Sequence, residues 1–132
     1  MTQTQKEPAT LTTDFEAVVD ALAGHDRLLV ATHENPDGDA LGSILGAKLA
    51  LDRLGKDSVM YLPGETSPPV EYAFLPLDEL RRDLPEDAAE RVLFALDCAN
   101  AKRMGAAAGL LGQAPTRLPL FTCAVRPVPV PR

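Results

Sequence analysis

The sequence predicts an α/β fold, a parallel sheet with helices on both faces, and three observations carry that expectation. Short apolar runs alternate with helical patterns along the chain, as in parallel sheets covered by their own connections. Two of the runs end in chemistry-bearing residues, His33 and Asp97, as strands do where open α/β sheets bind ligands. A chain of 132 residues that is 45% apolar suits one small domain with its own core.

The elements follow in order. A helix is expected from Asp14 to Ala23 and a buried strand from Leu28 to Thr32, where β-formers run together. A helix from Asp39 to Leu54 comes next, with Asp39 as its N-cap. Leu41, Ile44, Leu45, Leu49 and Leu51 give it an apolar side; Gly42 and Gly46, one turn apart, are expected to let it pack close to the sheet; Gly55 is its stop. A strand from Ser58 to Leu62, a surface loop from Gly64 to Pro69 and a partly helical stretch from Pro69 to Asp83 lead to a strand from Val92 to Leu96. A helix from Ala101 to Leu111 follows, and the chain has no internal repeat.

The most informative stretch is Arg27-Leu-Leu-Val-Ala-Thr-His33-Glu-Asn-Pro-Asp37-Gly-Asp39-Ala-Leu-Gly-Ser43. A strand-end histidine followed by two carboxylates offers imidazole nitrogen and carboxylate oxygen, a ligand mix suited to Mn²⁺ and, with fewer nitrogens, to Mg²⁺. Pro36 is expected to push Asn35 towards an extended backbone, and Gly38 to take angles closed to other residues so that Asp37 and Asp39 turn to one centre. A hairpin reading of Asp37-Gly38 fails because the second side is helical. An EF-hand reading fails because Leu41 and Lys48 stand where the loop needs ligands. A purely structural strand-end histidine remains the alternative. A second signal, Arg91-Val-Leu-Phe-Ala-Leu-Asp97, puts a carboxylate at the end of another strand. There Asp97 either joins His33 and Asp37, as a bridging ligand would, or caps the next helix.

These residues resemble a known family. His33-Glu-Asn-Pro-Asp-Gly-Asp-Ala-Leu-Gly-Ser43 is similar to the first motif of the DHH (DDH-domain) phosphoesterases, in the form of the nanoRNase branch. That branch comprises bifunctional oligoribonucleases that also dephosphorylate 3′-phosphoadenosine 5′-phosphate (PAP). Ala95-Leu-Asp97-Cys-Ala, with Arg103 and Gly105 after it, resembles the second motif, and Tyr72-Ala-Phe-Leu-Pro76 has the look of the same branch. The resemblance implies that His33 and Asp37 hold one Mn²⁺, Asp39 holds a second, and Asp97 bridges the two, with Asp37, Asp39 and Asp97 as the catalytic carboxylates. The third motif, Asp-His-His, is missing: the only histidines are His25 and His33, and no acid follows Asp97. The resemblance therefore implies the N-terminal part of such an enzyme.

Three regions are expected: a flexible N-terminus over 1–11, a partial phosphoesterase domain over 12–113, and an atypical tail over 114–132. Residues 1–97 carry a net charge of −11 and residues 98–132 a net +5, and five prolines fall between Pro115 and Arg132. That tail reads as a stretch translated in a shifted frame, with a genuine short variant as the alternative. Leu118 to Val125 can hold an edge strand at best, which leaves the Val92 strand without a normal neighbour. Cys98 and Cys123 have no metal-type spacing and read as reduced and structural. No apolar stretch suits a signal peptide or a membrane span, so a cytoplasmic location is expected. The formal net charge of −6 argues against long duplex DNA as a partner.

The function expected is that of a truncated Mn²⁺-dependent phosphoesterase, acting when intact on short oligoribonucleotides or PAP and compatible with a homodimer, the present chain being weak or inactive alone. A pyrophosphatase or exopolyphosphatase of the same superfamily is the second reading, against which the Gly38-Asp39-Ala40 form weighs. A non-catalytic remnant or interaction module is the third.

Overall fold

A strand with apolar side chains on both sides belongs in the middle of a sheet, and β1 (Arg27–Ala31) lies there. The computed structural model describes residues 15–98, 101–111 and 123–126. Its five strands run in the order β3-β2-β1-β4-β5, with β2 Asp57–Tyr61, β3 Leu80–Arg81, β4 Val92–Leu96 and β5 Cys123–Arg126. β1 pairs in parallel with β2 (Leu28 opposite Ser58) and with β4 (Leu28 opposite Val92), and β3 adds in parallel beside β2. The edge expected to lack a neighbour is instead taken by β5, antiparallel to β4.

Side-chain alternation divides the core. Leu28, Val30, Met60, Val92 and Phe94 face α1 (Phe15–Gly24) and α2 (Gly38–Arg53), meeting Val18, Ile44, Leu45 and Leu51. Leu29, Ala31, Tyr61, Leu93 and Ala95 face the other way, against Ala88, Met104 and Ala107. Layers on both sides of a mainly parallel sheet are the architecture the alternation of elements predicts.

Several local expectations need correcting. α2 is capped by Asp37, not Asp39: the Asp37 carboxylate accepts from the Ala40 N–H at 2.9 Å. Its C-terminus closes as expected on Gly55 (φ 78), with Gly55 N–H donating to Asp52 O and Lys56 N–H to Leu51 O. The buried stripe of α2 runs Leu41, Ile44, Leu45, Lys48, Leu51, which turns Leu49 out to 53% exposure. Lys48 is buried because its ammonium finds Asp52, Glu79 and the Ser58 carbonyl, all within 3.1 Å. Gly42 and Gly46 do not approach the sheet. Both open outward into an apolar groove of about 590 Å³ between α1 and α2. Ala101–Leu111 is not an α-helix but 3₁₀ turns interrupted at Gly105 (φ 59, ψ −132). The stretch after Pro69 supplies a 3₁₀ turn, Val70–Tyr72, and then β3. Of the regions expected from the sequence, 1–11 lies outside the described residues, as does all of 114–132 except β5.

The end of the sheet away from the site is pinned by Arg91. Its buried guanidinium donates to the Leu28 and Asp57 carbonyls at 3.2 and 2.9 Å, to both Asp57 carboxylate oxygens at 3.2 Å, and to Asp87 at 2.9 Å. Three strand starts are thereby tied to one side chain. No helix among the described residues is long and apolar enough to cross a membrane.

Candidate metal centre

In a parallel sheet the carboxyl ends of neighbouring strands come together, and β1 and β4 deliver their terminal residues to one place. Past β1 the chain runs through Thr32 to His33, which is 6% exposed. Asn35 then takes φ 52 instead of the extended backbone expected before Pro36, a left-handed position that asparagine tolerates better than most residues. This bend returns the chain to Asp37 at the start of α2. Past β4, Asp97 also adopts φ 52. A left-handed non-glycine residue costs about 1–3 kcal/mol where the surroundings impose it. Here the strained backbone carries a carboxylate whose Oδ2 lies 3.5 Å from His33 Nε2.

His33, Asp37 and Asp97 form one cluster, each offering a ligand atom within 4.8 Å of the others. Of the four residues singled out in the sequence, the structure brings these three together. Asp39 stays apart, exposed on the first turn of α2 and outside the cluster. Asp97 is not the cap of an α-helix, since none follows it, and Asp37 serves twice: one oxygen caps α2 while the group faces His33. His25 belongs elsewhere, its Nδ1 bonded to the Ala21 carbonyl at 2.8 Å at the end of α1.

The donors suit a divalent cation. Nδ1 of His33 lies 2.7 Å from the Glu34 carbonyl, which can only accept; in the tautomer that puts its proton on Nδ1, Nε2 turns its lone pair to the carboxylates. Two atoms bound at about 2.1 Å to one ion stand at most about 4.2 Å apart. Three donors cannot all stand opposite one another, so a cluster within 4.8 Å has to draw in around an ion, which side-chain rotation can do. One imidazole and two carboxylates make a hard, mainly oxygen donor set appropriate to Mn²⁺ or Mg²⁺.

Further contacts hold the loops around the cluster. Arg103 Nη2 lies 3.1 Å from His33 Nδ1 and 3.3 Å from the Glu34 carbonyl, while the Arg103 carbonyl accepts from the Glu34 N–H at 2.7 Å. With the Nδ1 proton given to Glu34, the guanidinium hydrogen bond is the one to the carbonyl. Tyr72 lies against Gly38: a Cβ there would be 3.1 Å from the ring and the hydroxyl. Gly38 is needed for that close approach and not for a left-handed backbone, since its φ is not positive. Gly105, by contrast, combines φ 59 with a site where a Cβ would lie 2.5 Å from Pro63 Cβ. Arg103 was visible in the sequence only as part of the second motif; the available signal was the Lys102-Arg103 pair, the first basic residues after Asp97.

Comparison with known proteins bears on the family and the fold. No protein-family model matches the chain. Over 81 residues, 58% of this chain, it is 41% identical to the bifunctional oligoribonuclease and PAP phosphatase NrnA of Thermus thermophilus, and it spans only 23% of that relative's length. The crystal structure of an exopolyphosphatase-related protein from Bacteroides fragilis superposes with a TM-score of 0.62 over 73% of this chain and 30% of that one. At 20% identity that likeness speaks for the fold alone. The sequence likeness over those 81 residues and the likeness of fold support a partial member of the DHH phosphoesterase family.

Proposed function

We propose that the chain is the metal-binding N-terminal part of a Mn²⁺-dependent phosphoesterase, a hydrolase of short oligoribonucleotides or PAP. The observation that carries this reading is the convergence of His33, Asp37 and Asp97 from two strand ends into one donor set. The NrnA relative supplies the substrate class. Mg²⁺ is the alternative ion, and the cytoplasm and a homodimer complete the reading.

When bound, a divalent cation supplies the Lewis acidity that makes water a competent nucleophile towards phosphorus. The chain's own residues do the positioning. His33 is oriented by the Glu34 carbonyl, Asp37 by its capping bond to Ala40, and Asp97 by the backbone of its strand end. Asp39 stands outside the cluster, and the sequence contains no Asp-His-His motif to complete a second ion's ligands. A two-ion clamp on the attacking and leaving oxygens is therefore not built by this chain alone, and its turnover should be close to background. The name of the structural neighbour points to the polyphosphate reading, but its sequence identity is too low to carry substrate.

The test is hydrolysis of a ribo-dinucleotide and of PAP, followed by chromatography with Mn²⁺ present. The 132-residue chain should be near background. A chimaera that appends the remaining part of the Thermus relative should turn over both substrates, and Asp37→Asn should abolish this. A chimaera that folds and binds Mn²⁺ yet hydrolyses neither substrate would contradict the assignment.

A further inference from the structure

Beside the donor cluster stands a cation that no carboxylate among the described residues neutralises. Arg103 is exposed, and among the described residues its guanidinium pairs with no carboxylate, although the chain carries 19 acidic groups against 13 basic ones. Among the described residues its side-chain hydrogen bonds both use Nη2, to the Glu34 carbonyl at 3.3 Å and, in the tautomer that leaves the ring nitrogen free to accept, to His33 Nδ1 at 3.1 Å. A guanidinium has five N–H donors, so those on Nε and Nη1 are uncommitted among the described residues.

The support under this side chain is firm. The Arg103 carbonyl accepts from the Glu34 N–H at 2.7 Å, stitching the loop after β4 to the loop after β1. Two residues on, Gly105 lies against Pro63 too closely for any side chain. Met104 between them is fully buried. An arginine whose backbone is anchored in this way and whose fork is free is suited to an anion with two oxygens to offer, and phosphate fits that fork bidentately.

We propose that Arg103 is a substrate-binding residue that holds the phosphate of a nucleotide against the ion site of His33, Asp37 and Asp97. This inference rests on the metal reading of that cluster. Its ligand class is a nucleotide phosphate, recognised by charge and by the fork and not by the base. An alternative role, in which Arg103 only braces the Glu34 loop, makes a different prediction: its removal would then disturb ion binding as well.

Calorimetry on the full chain separates these cases. Mn²⁺ is titrated first, and adenosine 5′-monophosphate (AMP) is then titrated into the loaded protein, with adenosine as the uncharged control. The expected result is AMP binding that adenosine does not reproduce. Arg103→Ala should weaken AMP by about tenfold or more, and Arg103→Lys should restore part of it, with Mn²⁺ affinity held within about twofold. AMP affinity unchanged in Arg103→Ala, or no AMP binding by the Mn²⁺-loaded wild-type chain, would overturn the inference while leaving the metal reading intact. Parallel loss of Mn²⁺ and AMP affinity in Arg103→Ala would assign Arg103 to bracing and overturn it too. Failure of the wild-type chain to take up Mn²⁺ at the first step would remove the metal reading and this inference with it.

Discussion

Gly105→Ala should be among the most damaging single-methyl changes in the chain. The added Cβ would lie 2.5 Å from Pro63 Cβ, whereas carbon atoms in contact settle at about 3.5–4.0 Å. About 1 Å of relief is needed, and the obstacle is a proline ring, which cannot rotate away as a long side chain would. Overpacking of this kind costs about 1–3 kcal/mol. The backbone adds its own penalty, because φ 59 with ψ −132 is a conformation that alanine adopts poorly, at about 1–3 kcal/mol. The two together give about 2–6 kcal/mol, a large share of the 5–15 kcal/mol that holds a typical domain together. Urea unfolding followed by circular dichroism measures this, with Gly109→Ala as the control, since nothing lies within 4 Å of a Cβ at Gly109. The control should stay within about 0.5 kcal/mol of the wild type. A Gly105→Ala chain as stable as that control would refute the packing of this segment on Pro63, and with it the support assigned to Arg103.

Two other perturbations test the frame. The Asp87 carboxyl is held below its ordinary range by its hydrogen bond to Arg91, with burial opposing and Arg27 assisting. It stays ionised in the fold at pH values where the unfolded chain takes up a proton, so its contribution is complete above about pH 4 and is lost as pH falls further. Urea midpoints at neutral pH and at about pH 3.5 should therefore fall less in Asp87→Asn than in the wild type, and equal falls would contradict the pairing. Thr32 is fully buried and its hydroxyl has no partner among the described residues. Thr32→Val should accordingly stabilise the chain by about 1 kcal/mol in the same assay, and a loss of stability would show that the hydroxyl has a partner.

What the sequence revealed and what it concealed divide along physical lines. Val92–Leu96 was legible to the residue, because a central strand buried on both faces is a continuous apolar run and cannot be anything longer. The meeting of His33, Asp37 and Asp97 was legible for the same reason: parallel neighbours bring their carboxyl ends together whatever their side chains. Asp37 and Asp39 could not be told apart as caps, since both precede the helix and only the path of the loop decides which reaches the Ala40 N–H. That path depends on Asn35 in a left-handed conformation, which tertiary packing imposed against the preference of a residue before proline. Lys48 in place of Leu49 on the buried stripe follows from helix phase and from partners, Asp52, Glu79 and Ser58, of which Glu79 and Ser58 belong to other segments. Ala101–Leu111 has the composition of a helix, and the break at Gly105 is set by a tertiary contact the sequence does not show, a close approach to Pro63 that leaves no room for a Cβ.

The measurement that bears most directly on the central claim is a calorimetric titration of Mn²⁺ into the metal-stripped chain, alongside Asp37→Asn. Asparagine keeps an oxygen to cap the Ala40 N–H, so the variant should melt with the wild type in chelator, and any difference between them reports ligation and not folding. One Mn²⁺ per chain is expected, with no uptake by Asp37→Asn, because His33, Asp37 and Asp97 make one donor set and Asp39 stands outside it. Two tight sites in the wild-type chain, or binding that survives Asp37→Asn unchanged, would contradict it.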